Sequence, residues 1–257
     1  MQLPTHVFLT VGRMNPPTPG HIHLIEQMLA KANEITDPEA RIVILLVLST
    51  TAHEPKNPLE CDVKQTFLVS MIHSLLEKTN NQTKYVVEPI RKESNSIDRS
   101  YEQHPFVIGW ICGNPFLTTM SLLNRYVSDS DIYIVLGSDR EDLFESLKTN
   151  LLKNVSSRRK GFHHISIERA EGGVSATHVR KLVSDNDYEG FKRLYHTHLD
   201  KLETKQFYDL ITEKLKEAKS QQKGTKRKRT VKGGKSKKFR RLLHLLDNDR
   251  RPLYREG

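Results

Sequence analysis

The sequence predicts an α/β protein whose parallel sheet carries helices on both faces (a doubly wound sheet), and three observations support this class. Short apolar runs alternate with longer segments in which apolar residues recur at helical spacing. Residues 42–48 are apolar without a break, which is typical of a strand buried on both faces. Turns rich in glycine and proline follow several runs, and ligands of such sheets bind at these strand ends.

The strands are predicted from apolar runs that end at a glycine or a polar residue. Gly12 closes the first run, and the run that ends at Gly137 is the most regular. The polar residues 91–105 are expected to lack regular structure. The predicted strands are Val7–Val11, Arg41–Ser49, Tyr85–Ile90, Asp131–Gly137 and His164–Ile167.

The helices are predicted from apolar residues that recur every three or four positions. The region Phe106–Val127 is ambiguous, with a helix expected after Pro115. Strands and helices that alternate at this spacing form βαβ units, so the expected architecture is Rossmann-like. The other predicted helices begin at His21 and at about Ser175 and cover Asp62–Lys78, Glu141–Leu152, Tyr188–Tyr195 and Lys201–Lys219.

The positive charge of the chain is concentrated in one segment. The net charge is +10, and eleven of the 41 Lys and Arg residues, with no Asp or Glu, lie between residues 223 and 241. Such a segment cannot build a core, so we expect a disordered basic tail at 223–257, after a domain at 1–198 and a helical extension at 199–222. The tail could bind nucleic acid without sequence choice, serve as a nuclear-import signal, or only increase solubility.

Several protein classes are excluded by composition. The longest apolar run, Ile42–Leu48, has seven residues, far short of the ~20 that a membrane helix needs. Cys61 and Cys112 predict neither a disulfide framework nor a zinc site, and a reducing compartment is expected. With no signal-peptide pattern at residues 1–6, the predicted location is the cytoplasm, or the nucleus in a eukaryotic host, with no membrane partner.

The loop after the first predicted strand (residues 12–21, the first loop) combines features of an anion site. Gly12 lets the backbone approach a ligand closely, and three prolines stiffen the segment. Gly20 and His21 open a helix, whose free N–H groups form a natural phosphate site. The alternative is a tight proline turn that ends in a helix cap.

Two further loops carry polar residues at strand-to-helix junctions. In the second loop (residues 172–180) a glycine pair precedes Ser175, Thr177 and Arg180, which together could hold a polyphosphate. In the third loop (residues 137–140) Asp139 and Arg140 follow a buried strand. The alternative for both loops is an ordinary helix cap on the surface.

These loops resemble the signatures of a known family. Thr18-Pro19-Gly20-His21 resembles the T/HxGH signature of the nucleotidylyltransferase superfamily, and Val174–Arg180 resembles its ISSTxxR signature. The two lie in the family's order, roughly 150 residues apart, and the likeness covers residues 5–195. The first loop is most similar to the GRFNPPTxGH loop of viral and phage cytidylyltransferase-like proteins. The segments Gly137–Arg140 and Lys56–Leu59 also resemble that group of proteins. Nicotinamide mononucleotide (NMN) adenylyltransferases share an NPxT-type first loop.

The sequence departs from the family pattern at two positions. Thr18 replaces the first histidine of HxGH, a variant that the family permits. Ala176 replaces the second serine of ISSTxxR and removes one possible hydroxyl contact. Because the second loop also differs in length from the cytidylyltransferase pattern, the choice between ATP and CTP stays open.

The resemblance implies an enzyme that moves a nucleoside monophosphate from ATP or CTP to a phosphorylated small molecule and releases pyrophosphate. Mg²⁺ would be carried by the nucleotide phosphates, with no metal site on the protein. The competing hypothesis is a silent nucleotide-fold module that binds nucleic acid through its tail. The implied site comprises three catalytic residues (Thr18, His21 and Arg180), eight nucleotide-binding residues (Gly12, Arg13, Gly20, Gly137, Asp139, Arg140, Ser175 and Thr177) and Lys56 for the acceptor.

Overall fold

Six parallel strands form one sheet in the computed structural model, which describes residues 4–90, 104–126, 130–154, 161–168 and 173–224. The strands are β1 (His6–Gly12), β2 (Ile42–Ser49), β3 (Val86–Pro89), β4 (Phe106–Gly113), β5 (Asp131–Gly137) and β6 (Phe162–Ile167). Their order across the sheet is β3-β4-β2-β1-β5-β6. The chain therefore places β2, β3 and β4 on one side of β1 and β5 and β6 on the other, and the predicted Rossmann-like α/β class is confirmed.

Helices cover both faces of the sheet. They are α1 (Pro19–Asn33), α2 (Cys61–Lys78), α3 (Pro115–Tyr126), α4 (Glu141–Asn154), α5 (Ala176–Ser184), α6 (Tyr188–Tyr195) and α7 (Lys201–Gly224). Val7 and Leu9 of β1 share a core with Leu123 of α3 and Phe144 of α4. Because side chains alternate along a strand, Phe8 points to the other face, where α1 and α2 pack side by side.

The centre of the sheet follows directly from the apolar pattern. Every residue of β2 is buried, and β2 pairs with β1 on one side and with β4 on the other. A strand covered on both faces and both edges gains most from a continuous run of Ile, Leu and Val. The loops at the carboxyl ends of the central strands therefore start from a fully buried region.

β4 is the strand that the sequence pattern does not resolve. Gly109 interrupts its apolar run, which left the region Phe106–Val127 ambiguous. In the structure Gly109 pairs with Leu45, and a Cβ at this position would lie 2.9 Å from the side chain of Ile90. Glycine at this position therefore permits close packing inside the sheet. Because β4 is an additional strand, the strand predicted as the fifth is the sixth in the structure.

The C-terminal helix α7 packs on the body through aromatic side chains. Phe207 is fully buried, and its ring stacks on Phe67 of α2 with 4.1 Å between centroids. Met1–Lys219 forms one compact unit. The predicted boundaries at residues 198 and 222 stay predictions, and the predicted disordered tail lies outside the described residues apart from residues 223 and 224.

The two cysteines correct an expectation from composition. Cys61, the first residue of α2, and Cys112 of β4 form a disulfide with 6.2 Å between their Cα atoms. They are 51 residues apart in the chain, a separation that spacing rules do not interpret. Among the described helices none is long and apolar enough to span a membrane. The cytoplasmic or nuclear location stays a prediction.

Candidate active site

A cleft of about 330 Å³ opens at the carboxyl ends of β1, β5 and β6. Gly12, Gly137 and Ile167 end these strands, and all three line the cleft. From β1 the chain continues to β2 on one side, while β5 lies on the other side. The cleft therefore lies where the strand order reverses, the usual ligand position in open α/β sheets.

Eleven of the twelve residues predicted for the site line this cleft, although their individual roles stay predictions. Asp139, the twelfth, lies in the short 3-10 turn Ser138–Arg140, next to Arg140, which does line it. The eleven are Gly12, Arg13, Thr18, Gly20, His21, Lys56, Gly137, Arg140, Ser175, Thr177 and Arg180.

The side chain of Asn15 attaches the first loop to the segment around Leu59. This side chain is 2% exposed, and its amide donates to the Leu59 carbonyl at 2.8 Å. Its Oδ1 accepts from the Leu59 backbone N–H at 3.0 Å. The neighbouring Met14 has a positive φ of 43°, and the Asn15–Pro16 peptide is cis. The amide therefore ties an irregular loop to the segment that leads into α2.

The first and second loops contact each other directly. Arg180 donates from Nη1 to the Asn15 carbonyl at 2.7 Å. Tyr195 of α6 adds a further bond to the first loop, donating to the Pro17 carbonyl at 2.6 Å. A Cβ at Gly20 would lie 3.1 Å from the carbonyl oxygen of Val174. Glycine at this position thus permits the contact between the loops, in addition to the predicted approach of a nucleotide.

Hydrogen bonds to Thr18 orient the His21 ring. The Thr18 backbone N–H donates to Nδ1 at 3.0 Å, and Thr18 Oγ1 lies 2.8 Å from the same nitrogen. A backbone N–H can only donate, so Nδ1 is the acceptor and the neutral ring carries its proton on Nε2. The donor nitrogen of the imidazole is therefore Nε2, and His21 lines the cleft.

The second loop places two hydroxyls and a guanidinium at the start of α5. Ser175 caps the helix by accepting from the His178 backbone N–H at 3.1 Å. Thr177 Oγ1 accepts from Arg180 Nη2 at 3.0 Å. The capping alternative is thus present for Ser175, and Ser175, Ala176 and Thr177 at the start of α5 all line the cleft. Gly172, of the predicted glycine pair, lies outside the described residues.

The cleft is strongly cationic. Arg13, Lys56, Arg140 and Arg180 line it, together with His21 and His23, and Glu168 is the only carboxylate among its described lining residues. Burial lowers the pKa of Arg180 from its ordinary value, and the guanidinium of Arg13 lowers it further. Like charges held this close are stabilised by a bound polyanion.

The donor set suits a metal that arrives with phosphates better than a metal held by the protein. Within the described residues no group of three His, Cys, Asp or Glu side chains could hold a metal ion. Mg²⁺ commonly keeps substrate phosphates and waters as most of its ligands. In this cleft Glu168 is the carboxylate that could add to them.

Four residues at or beneath the site were not found by sequence reasoning. Asn15 was visible only as part of a loop pattern, while Lys64 and Tyr195 contact the first loop from distant segments. Glu168 follows β6 directly, at a position that the rule for strand ends could have indicated. The contacts of the other three depend on the tertiary fold.

Comparisons with known proteins give a limited result. No family model matches the chain, and no curated protein matches it. One similar solved structure is a bifunctional NMN adenylyltransferase/ADP ribose pyrophosphatase from Francisella tularensis, with 15% identity, a TM-score of 0.49, and coverage of 90% of this chain and 58% of that one.

A second similar solved structure is also a bifunctional NMN adenylyltransferase/ADP ribose pyrophosphatase from Francisella tularensis, complexed with AMP and a Mn ion. It shows 13% identity and a TM-score of 0.46, with coverage of 86% of this chain and 55% of that one. This chain therefore spans less than two thirds of the length of either protein.

Proposed function

We propose that this chain is a nucleotidyltransferase that moves a nucleoside monophosphate from ATP or CTP to a phosphorylated small-molecule acceptor and releases pyrophosphate. The observation that carries the proposal is the hydrogen bond from the Arg180 guanidinium to the carbonyl of Asn15, 165 residues away in the chain. With the two loops joined in this way, Arg180 and His21 line one cleft. A triphosphate between them would be contacted from both loops.

The reaction needs no protein nucleophile. A phosphate oxygen of the acceptor attacks the α-phosphorus, and a new P–O bond forms. The bond from the α-phosphorus to the bridging oxygen breaks, and its electron pair leaves with pyrophosphate. Catalysis then consists of positioning and charge stabilisation, which a cationic, preformed cleft provides.

His21 is proposed to act on the α-phosphate. Its Nε2–H is the donor set by the contacts of Nδ1 with Thr18. Negative charge on the non-bridging oxygens is redistributed as the α-phosphorus changes partners, and a donor fixed in advance stabilises that state without reorganisation. Thr18 has the supporting role of orienting the ring.

Arg180 and the start of α5 are proposed to hold the leaving β- and γ-phosphates. The guanidinium, the Thr177 hydroxyl and the first N–H groups of α5 are donors at one end of the cleft. Arg13 is close enough to Arg180 to lower its pKa, so both could contact the same polyphosphate. Mg²⁺ bound with the nucleotide would supply further neutralisation of the phosphate charge.

Lys56 is proposed for the phosphate of the acceptor. It lies in the loop after β2 and lines the cleft, whereas Arg180 projects from α5. An ammonium on a flexible stem can neutralise a phosphate without imposing one geometry. NMN, phosphopantetheine, a sugar phosphate and a polyol phosphate are the acceptors to compare.

The test is pyrophosphate release by the purified chain with ATP and CTP against these acceptors, with Mg²⁺ present. We expect release with one nucleotide and one acceptor, and a loss of about 10²–10³-fold in turnover for His21→Ala, as for a lost electrostatic donor. His196→Ala is the matched control, since His196 is exposed and does not line the cleft. Full activity of folded His21→Ala would remove His21 from the mechanism.

The same assay separates the enzyme from a silent module. A silent nucleotide-fold module would bind a triphosphate but release no pyrophosphate with any acceptor. Its proposed nucleic-acid contact is with residues 223–241, which lie almost wholly outside the described residues. Retention on a polyanion after deletion of this segment would exclude the tail as the binding element.

A further inference from the structure

Lys64 of α2 is a buried lysine with no acidic partner among the described residues. Its side chain is 0% exposed. Its Nζ donates to the carbonyl of Ser49 and lies 3.4 Å from the carbonyl oxygen of Arg13. Burial lowers its pKa to about 8, and no carboxylate among the described residues offsets this. Lysine is almost never fully buried unless it is paired, so the position calls for a physical reason.

The two carbonyls lie at the ends of two neighbouring strands, and one of the two residues, Arg13, lines the cleft. Ser49 is the last residue of β2, and Arg13 directly follows β1. The Arg13 carbonyl precedes Met14, whose positive φ turns the chain into the first loop. A carbonyl oxygen carries partial negative charge, and the ammonium, which has three donors, can bond to both oxygens at once.

We infer that Lys64 is a positioning residue of the anion site: it binds the carbonyls of Arg13 and Ser49 from beneath and adds a buried positive charge to the cleft. This inference rests on the proposed function, because it concerns the same phosphate-binding cleft. The ammonium fixes the peptide from which the Arg13 side chain projects. Its charge is attenuated little by solvent, because the group is fully buried.

A purely structural role makes a different prediction about substitutions. Methionine resembles lysine in length and shape and packs well in an apolar site, whereas arginine is larger. If Lys64 only filled space, Lys64→Met would be tolerated and Lys64→Arg would be harmful. If its charge and donors matter, the order is reversed.

The experiment measures the affinity of the full chain for inorganic tripolyphosphate by titration calorimetry. We expect Lys64→Met to weaken binding by about tenfold or more, and Lys64→Arg to restore it to within about threefold of the unsubstituted protein. Ser70→Ala is the matched control, a buried polar residue of the same helix whose hydroxyl donates within α2 to Thr66. Circular dichroism verifies that each variant is folded.

Each outcome decides between the roles. Folded Lys64→Met that binds tripolyphosphate within about twofold of the unsubstituted protein would overturn the inference, as would equal losses in the Met and Arg variants. If Lys64→Met does not fold, Lys64→Gln, which keeps a donor and loses the charge, replaces it under the same criteria. If the unsubstituted chain does not bind tripolyphosphate, or binds it equally well after Arg180→Ala, the proposed function fails instead.

Discussion

Lys64 and His21 illustrate how the groups around a single residue determine its hydrogen bonds. Backbone and hydroxyl contacts from Thr18 determine which nitrogen of His21 can donate. Two strand-end carbonyls surround the amine of Lys64, and burial lowers its pKa to about 8. Because burial lowers the pKa of Lys64, pH is the natural variable to change for this residue.

The lowered pKa of Lys64 predicts that the folded state becomes more stable between pH 7.5 and 9.5. Because the pKa is about 8 in the folded chain and 10.5 ordinarily, the unfolded state binds more protons in this interval. The free energy of unfolding should therefore rise with pH, by about 2–3 kcal/mol at most.

The contribution of Lys64 is measured by urea unfolding of the unsubstituted protein and of Lys64→Met at several pH values in that interval. It is the difference between the two proteins in how their free energy of unfolding changes with pH. The interval stops below pH 10 because burial raises the pKa of Tyr85 and Tyr195, which lowers stability above the ordinary tyrosine value of 10.0. If the free energy of unfolding changed with pH by the same amount in both proteins, the prediction would be contradicted.

Among the elements, α2 connects the sheet to the first loop. Its first residue, Cys61, is bonded to Cys112 of β4, and the preceding Leu59 is hydrogen-bonded to Asn15. Lys64 lies one turn further along the same helix. The N-terminal end of α2 therefore holds the first loop against the ends of β1, β2 and β4.

Loss of the disulfide should destabilise the chain. A bond that closes a loop between residues 51 apart typically contributes about 2–4 kcal/mol to the free energy of unfolding. We expect Cys112→Ser to lower that free energy by this amount in the absence of reductant. Reductant should bring the unsubstituted protein down to the variant, and two titratable thiols in the untreated, denatured protein would contradict the bond.

How well elements could be predicted depended on how continuous their apolar pattern is. β2 was predicted to within one residue, and β5 with its observed bounds, because each is an unbroken apolar run. β4 was not resolved, because Gly109 breaks its run for a packing reason that appears only once Ile90 is in place. A local sequence pattern thus predicts a strand when its apolar run is unbroken, and fails when a tertiary contact places a glycine within the run.

For the whole molecule, the sheet order brings together loops that are far apart in sequence. The signature residues could be predicted because they are clustered in short segments at strand ends. The contacts of Asn15 with Leu59 and of Tyr195 with Pro17 join residues 44 and 178 apart, so no local pattern contains them. The positive charge of the cleft also comes from several loops, which no single segment reveals.

The central claim is that the first and second loops hold one triphosphate between them. A crystal structure of the chain with a non-hydrolysable analogue of ATP or CTP and Mg²⁺ tests it most directly. The account predicts an α-phosphate oxygen about 3 Å from His21 Nε2 and a β- or γ-phosphate oxygen at a similar distance from the Arg180 guanidinium. A triphosphate bound outside this cleft, or one contacting a single loop, would contradict it.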